Sequence, residues 1–284
     1  MTQTIGNPLS WIGKAFGRAS GHVGESVEAI GGTEDSAPQV QHLSQEDLRE
    51  ALRLGMQDFT AARADALFLV VVYPVIGLVL LAMATDLAAL PMLFPLVAGF
   101  ALLGPLAAVG LYEISRRREK GEPVSWGAAL GVFGQPYFAA LVVLGLCLMA
   151  IFGAWLIAAF AIHALTLGPQ PPASLSGFLS ETFTTGAGWA MILLGTGTGF
   201  LFALLVLATS VVSFPLLMER HVSVPKAIMT SVEVFRKNPR VICTWGLVVA
   251  ASLVLGALPA LVGLVIVMPV LGHATWHLYR RAVK

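Results

Sequence analysis

The sequence predicts an all-α polytopic membrane protein: six transmembrane helices with three cytoplasmic interfacial helices. Three observations carry that expectation. Hydrophobic residues make up 57% of the chain and charged ones 12%, more apolar surface than a soluble domain can cover, so the bilayer must be the solvent. Six apolar stretches reach the roughly 20 residues needed to cross the hydrocarbon, at about 66–84, 91–111, 137–162, 189–213, 240–258 and 260–279. All 17 Lys and Arg fall in four blocks, at residues 14–63, 116–120, 220–240 and 280–284. Connections with and without base therefore alternate, and basic connections stay inside. Both termini are therefore expected on the cytoplasmic side of the membrane.

Residues 1–42 read as a flexible, partly amphipathic cytoplasmic tail, and 43–284 as the membrane domain. Leu9, Ile12, Phe16, Val23, Val27 and Ile30 recur at helical spacing, which suits a segment lying on the inner leaflet. Residues 31–42 are rich in Gly, Pro, Gln and Ser and read as a linker. The first long apolar run begins near Ala66, so no cleaved signal peptide is expected.

A short amphipathic stretch precedes the first, third and fifth spans. In the first, Ser44 and Asp47 form a capping-box-like pair ahead of Leu48, Leu52, Met56 and Phe59. The second, Pro123 to Phe133, places Trp126, Leu130 and Phe133 in register, and the third, Val224 to Phe235, does the same for Ile228, Val232 and Phe235. Surface helix plus hairpin thus forms a threefold parallel repeat with its axis along the membrane normal. Within it, Pro105 to Arg117 aligns with Pro269 to Arg281 without a gap, pairing Tyr112 with Trp276 and Arg116 and Arg117 with Arg280 and Arg281 as interfacial anchors. Phe214 to Arg220 is a looser third copy.

Two of these stretches also carry a family likeness. Gly99 to Glu122, GFALLGPLAAVGLYEISRRREKGE, and Gly272 to Arg280, GHATWHLYR, resemble the signatures of a family of predicted integral membrane proteins of unknown function, found mainly in proteobacteria. The resemblance runs from about residue 45 to the end and implies a six-helix inner-membrane protein. Some family members carry the name of a cytochrome oxidase subunit I. A haem-copper core needs several mid-membrane histidines on different helices, whereas the spans here hold only His273 and His277 near the inner end of the sixth, with His163 at the outer edge of the third.

His273 and His277, four apart, share one helix face and could hold a metal if Glu113, Glu219 or His221 supplied further ligands. The competing explanation is that these groups cap helix ends or face headgroups. Glu113 should be compensated by Arg116 and Arg117 one turn on. Gly195, Gly199 and Ala203 form a small-residue stripe suited to helix packing, and Pro74, Pro95, Pro105, Pro215 and Pro269 should kink their spans. Cys147 and Cys243 read as small buried hydrophobes. No acid or histidine is expected near the bilayer midplane, which disfavours ion-coupled carriers, and no nucleophilic triad can be drawn. No cofactor is expected, and a net charge of +1 argues against nucleic acid. The expected partners are the lipid bilayer, other inner-membrane proteins or further copies of the chain. The leading expectation is a non-enzymatic scaffold or accessory component of a membrane complex. Passage of a neutral or lipid-like solute is one alternative, and a membrane enzyme or metal site at the cytoplasmic rim is another.

Overall fold

The computed structural model describes Gly31 and residues 38–61, 86–124, 131–259 and 261–284. The first expected span, most of the tail and residues 125–130 of the second surface stretch lie outside the described residues. Among those described, the regular structure is helical, and the only β contact is an isolated antiparallel bridge between Val40 and Val283.

Helix α1, Gln45–Ala61, starts as its sequence indicates: the Asp47 amide donates to Ser44 Oγ at 3.2 Å and the Ser44 amide to Asp47 Oδ2 at 2.9 Å, a reciprocal cap that satisfies two orphan donors. Its buried stripe, however, is Leu48, Ala51, Gly55 and Asp58, and Met56 points outward. The small residues decide this, because they allow close approach to the last helix. A Cβ on Gly55 would lie 2.6 Å from the Ala274 amide nitrogen.

The second expected span is broken into α2 (Leu90–Leu102), α3 (Gly104–Ala107) and α4 (Val109–Glu119). Pro95 and Pro105 interrupt the backbone ladder here, and Trp155 Nε1 donates to the Pro95 carbonyl at 2.8 Å. A 3-10 turn, Gly131–Gly134, leads into α5, Phe138–Thr166. The outer connection, which carries no base, holds a further helix, α6 (Leu175–Thr184), capped by Ser174 Oγ accepting from Gly177 N. Helix α7, Gly186–Ser210, starts on Thr185, which caps it in the same way, and α8, Ser213–Glu219, continues its line after a break.

The third surface stretch is α9, Val224–Lys237, followed by α10, Pro239–Ala257, and α11, Leu264–Ala282. The buried face of α9 is set by Val224, Ala227, Thr230, Ser231 and Val234, one position round from the expected Ile228, Val232 and Phe235. Again small and hydroxyl residues allow the approach, with Ser213 Oγ donating to the Ala227 carbonyl at 3.1 Å.

Among the described residues, three helices are long and apolar enough to cross a membrane: α5, α7 together with α8, and α10. Their flanks expose Leu146, Ile157, Leu201, Leu247 and Leu255, an outer surface suited to lipid. Cys147 and Cys243 lie on this exposed side, which corrects the expectation of burial: each sits on the helix face turned away from its neighbours. At the arginine-bearing helix ends the packing is dense, and Tyr112, Phe214, Trp276, Leu278 and Tyr279 are fully buried.

Candidate functional site at the arginine-bearing helix ends

Helix α11 presents His273 and His277 one turn apart toward α1 and α4. Ser115 Oγ lies 2.8 Å from His273 Nδ1 and 2.6 Å from Asp58 Oδ2, and His277 Nε2 lies 2.8 Å from the same Asp58 oxygen. Arg118 Nη1 completes the cluster at 3.1 Å from Asp58 Oδ1. Ser115 has one proton for two neighbours. An ionised Asp58 can only accept, so the hydroxyl donates to it, and His273 must donate to Ser115 through Nδ1. Burial alone would push the Asp58 carboxyl up, but the hydrogen bonds from His277 and Ser115 outweigh it and hold the group below the usual range.

These residue types match a nucleophile–base–acid set, and their arrangement does not perform that chemistry. The Ser115 proton points at the carboxylate rather than at an imidazole acceptor, and Ser115 is 0% exposed, so no substrate can reach its oxygen. What the cluster does is tie three helices together through a satisfied polar network. Such a network costs little only because each member is paired.

Glu113, two residues and so about half a turn back on α4, faces elsewhere. It accepts from Arg116 Nε at 2.9 Å, Arg117 Nε at 2.7 Å and the Tyr137 hydroxyl at 3.3 Å. Burial would raise its carboxyl, and the two guanidiniums outweigh that and lower it. The expected compensation by Arg116 and Arg117 is therefore present, and Glu113 does not join His273 and His277. Glu219 is 3.8 Å from Arg280, and His221 is exposed on the connection after α8. Among the described residues no three His, Cys, Asp or Glu side chains are grouped to hold a metal ion.

The aromatic and basic anchors have internal partners. Tyr112 and Trp276 are buried inside the protein, with Trp276 Nε1 donating to Glu119 at 3.0 Å. Arg280 pairs with Glu119 at 2.9 Å and Arg281 with Asp47 at 2.8 Å. In the small-residue stripe, Gly199 meets the Trp155 ring, a Cβ there lying 3.0 Å from it, whereas Gly195 faces open space and Ala203 is exposed.

A second set of contacts joins the two ends of the described chain. Gln41 N donates to the Ala282 carbonyl at 2.8 Å, and Gln39 and Lys284 exchange two backbone bonds of 2.9 Å. Buried Asn238 holds the incoming segment, accepting from Leu43 N at 2.7 Å and donating to the Gln41 carbonyl at 2.9 Å. Lys237 Nζ donates to the Val40 carbonyl at 2.7 Å.

Beside the Asp58 cluster lies a cleft of about 320 Å³ lined by Leu54, Asp58, Ser115, Arg118, Glu119 and His277. Sequence reasoning found both histidines but missed Asp58, Ser115 and Arg118 as their partners. A signal for Asp58 was present: it continues the spacing of Leu48, Ala51 and Gly55, an acid on the packing face of its helix. Ser115 carried none.

Long apolar helices with charged groups confined to their ends define a helical integral membrane protein. Residues 93–219, from α2 through α8, match the family described as Predicted integral membrane protein (DUF2189). The match includes the Gly99 to Glu122 stretch and leaves the Gly272 to Arg280 stretch outside it. No curated protein and no solved structure matches the chain.

Proposed function

We propose that the protein is a non-enzymatic scaffold or accessory component of a bacterial inner-membrane complex, with six spans and both chain ends cytoplasmic. The observation that carries this reading is the locked basic end. There α1 is bound across α4 and α11 by the Asp58 network, and residues 39–41 pair with the strand-like C-terminal residues. Because the two paired segments must share one side of the membrane, the pairing supports an even number of crossings between them. The acids of this end are engaged in pairs within the chain, which suits a rigid platform better than a turnover site.

The threefold parallel repeat belongs to the same proposal. Helix α1 rests on α11, α9 rests on α7 and α8, and the turn at 131–134 rests on α4. In these contacts the described part of each surface segment lies against the second span of the preceding unit, which supports a cyclic arrangement. Neither catalysis at the rim nor solute passage is favoured by a specific observation. The test is purification in a mild, native detergent with mass spectrometry of what accompanies the chain. A stoichiometric membrane partner or a defined homo-oligomer is expected, and a lone monomer under those conditions contradicts the reading.

A further inference from the structure

We infer that the cleft beside Asp58 is a binding site for the phosphodiester headgroup of an anionic phospholipid. The argument begins with Arg118. Its Nη1 is spent on the Gln57 carbonyl at 3.1 Å and on Asp58 Oδ1 at 3.1 Å, which fixes the plane of the guanidinium. Among the described residues its Nε and Nη2 have no hydrogen-bond partner. That leaves the edge that binds a phosphate or carboxylate through two parallel N–H bonds, on a side chain 38% exposed in the wall of the cleft.

The other polar groups of the wall are already committed. Glu119 accepts from Trp276 and Arg280, Asp58 accepts from Ser115 and His277, and Ser115 Oγ sits between Asp58 and His273. Arg118 is therefore the group in this wall with charge-assisted donors to spare. Leu54 supplies an apolar wall, and about 320 Å³ lies at the lower end of the volumes that small-ligand sites enclose. The depth selects the source of the phosphate. The cleft lies where α4 passes from the apolar run ending near Tyr112 to Arg116, Arg117 and Arg118, the level of the lipid phosphates, and the two carboxylates of its wall, Asp58 and Glu119, are neutralised by Arg118 and Arg280.

The full chain, delipidated in detergent, is titrated with dihexanoyl phosphatidylglycerol and separately with inorganic phosphate, and bound species are counted by native mass spectrometry. One lipid adduct should form ahead of all others. Arg118→Gln and Leu54→Trp should each weaken it about tenfold, the scale of one charge-assisted interaction, while Arg240→Gln at the start of α10 should leave it within about twofold. Leu54→Trp fills the cleft without touching a bond of the network, so it decides the matter if Arg118→Gln fails to fold. An adduct of unchanged affinity in Leu54→Trp, or equal weakening by Arg240→Gln, overturns the site. Binding of inorganic phosphate as tight as the lipid overturns the lipid as its source.

Discussion

Helix α4 carries two buried polar clusters on different faces, and they are built to opposite plans. On one, Glu113 is sealed at 1% exposure with both oxygens occupied by Arg116, Arg117 and Tyr137, three partners close by in sequence or on the next helix. On the other, Ser115 and Asp58 draw on α1 and α11, far away in the chain, and border an open cleft. The first is a local device that neutralises a buried acid by guanidiniums three and four residues on along its own helix. The second is a long-range fastening whose outer edge still has donors to offer. Burial of charge alone does not mark a candidate site. Burial beside an accessible and incompletely used partner does.

The contrast predicts an order of effects. Gly55→Val should do the most damage, because its side chain meets the Ala274 backbone and α1 must lift from α11. A loss of roughly 3 kcal/mol is expected in thermal or denaturant unfolding in detergent, at the upper end of overpacking costs. Resistance of α1 to limited proteolysis should vanish with it, while the Glu113 cluster survives. Glu113→Gln comes next, at about 2 kcal/mol. Removing one partner of a buried pair leaves two guanidiniums uncompensated, and their partial exposure reduces the penalty below that of a fully buried pair. Asp58→Asn should cost about 1 kcal/mol, since Arg118 is more than a third exposed and water can replace its partner. If Asp58→Asn proves worse than Glu113→Gln in the same unfolding assay, the division into sealed and open clusters fails.

Acid should weaken both clusters. Both carboxyls are lowered in the folded protein, so their stabilisation is complete above the ordinary carboxylate range and is lost as pH falls through the lowered folded values, from about pH 4 downward. Near-ultraviolet circular dichroism should therefore show a steep acid limb in the wild type and a shallower one in Asp58→Asn and in Glu113→Gln. Identical limbs in all three would remove the clusters as its cause. The smallest effect belongs to Glu46→Ala. That residue pairs with Arg49 at 3.4 Å with both side chains almost fully exposed, and no measurable change in Tm is expected.

Much of this architecture could be read from residue order. The long apolar helices, the Ser44 and Asp47 cap and the Glu113 to arginine spacing all depend on neighbours within one turn, and such interactions leave a local signature. The faces of α1 and α9 were read one position off, because hydrophobic spacing points to the largest residues, whereas the real interfaces are set by how closely Ala51, Gly55, Ala227 and Ser231 let backbones approach. Helix α6 was missed although Ser174 and Thr185 stand where caps belong. The Asp58, Ser115 and His273 network was out of reach for a different reason: its members lie 57 and 158 residues apart, and no periodicity within one helix links them. The pairing of residues 39–41 with 282–284 was invisible for the same reason.

That pairing offers the most direct test of the locked basic end. Val40 and Val283 face each other as the pair between two flanking backbone bonds, the closer type of antiparallel pair, whose spacing suits a disulfide. In a chain with Cys147 and Cys243 replaced by alanine, Val40→Cys with Val283→Cys should cross-link almost completely under mild oxidation, read as a mobility shift on a non-reducing gel. Two free thiols that stay unlinked, and that react with an impermeant maleimide from opposite sides of the membrane, would contradict the account.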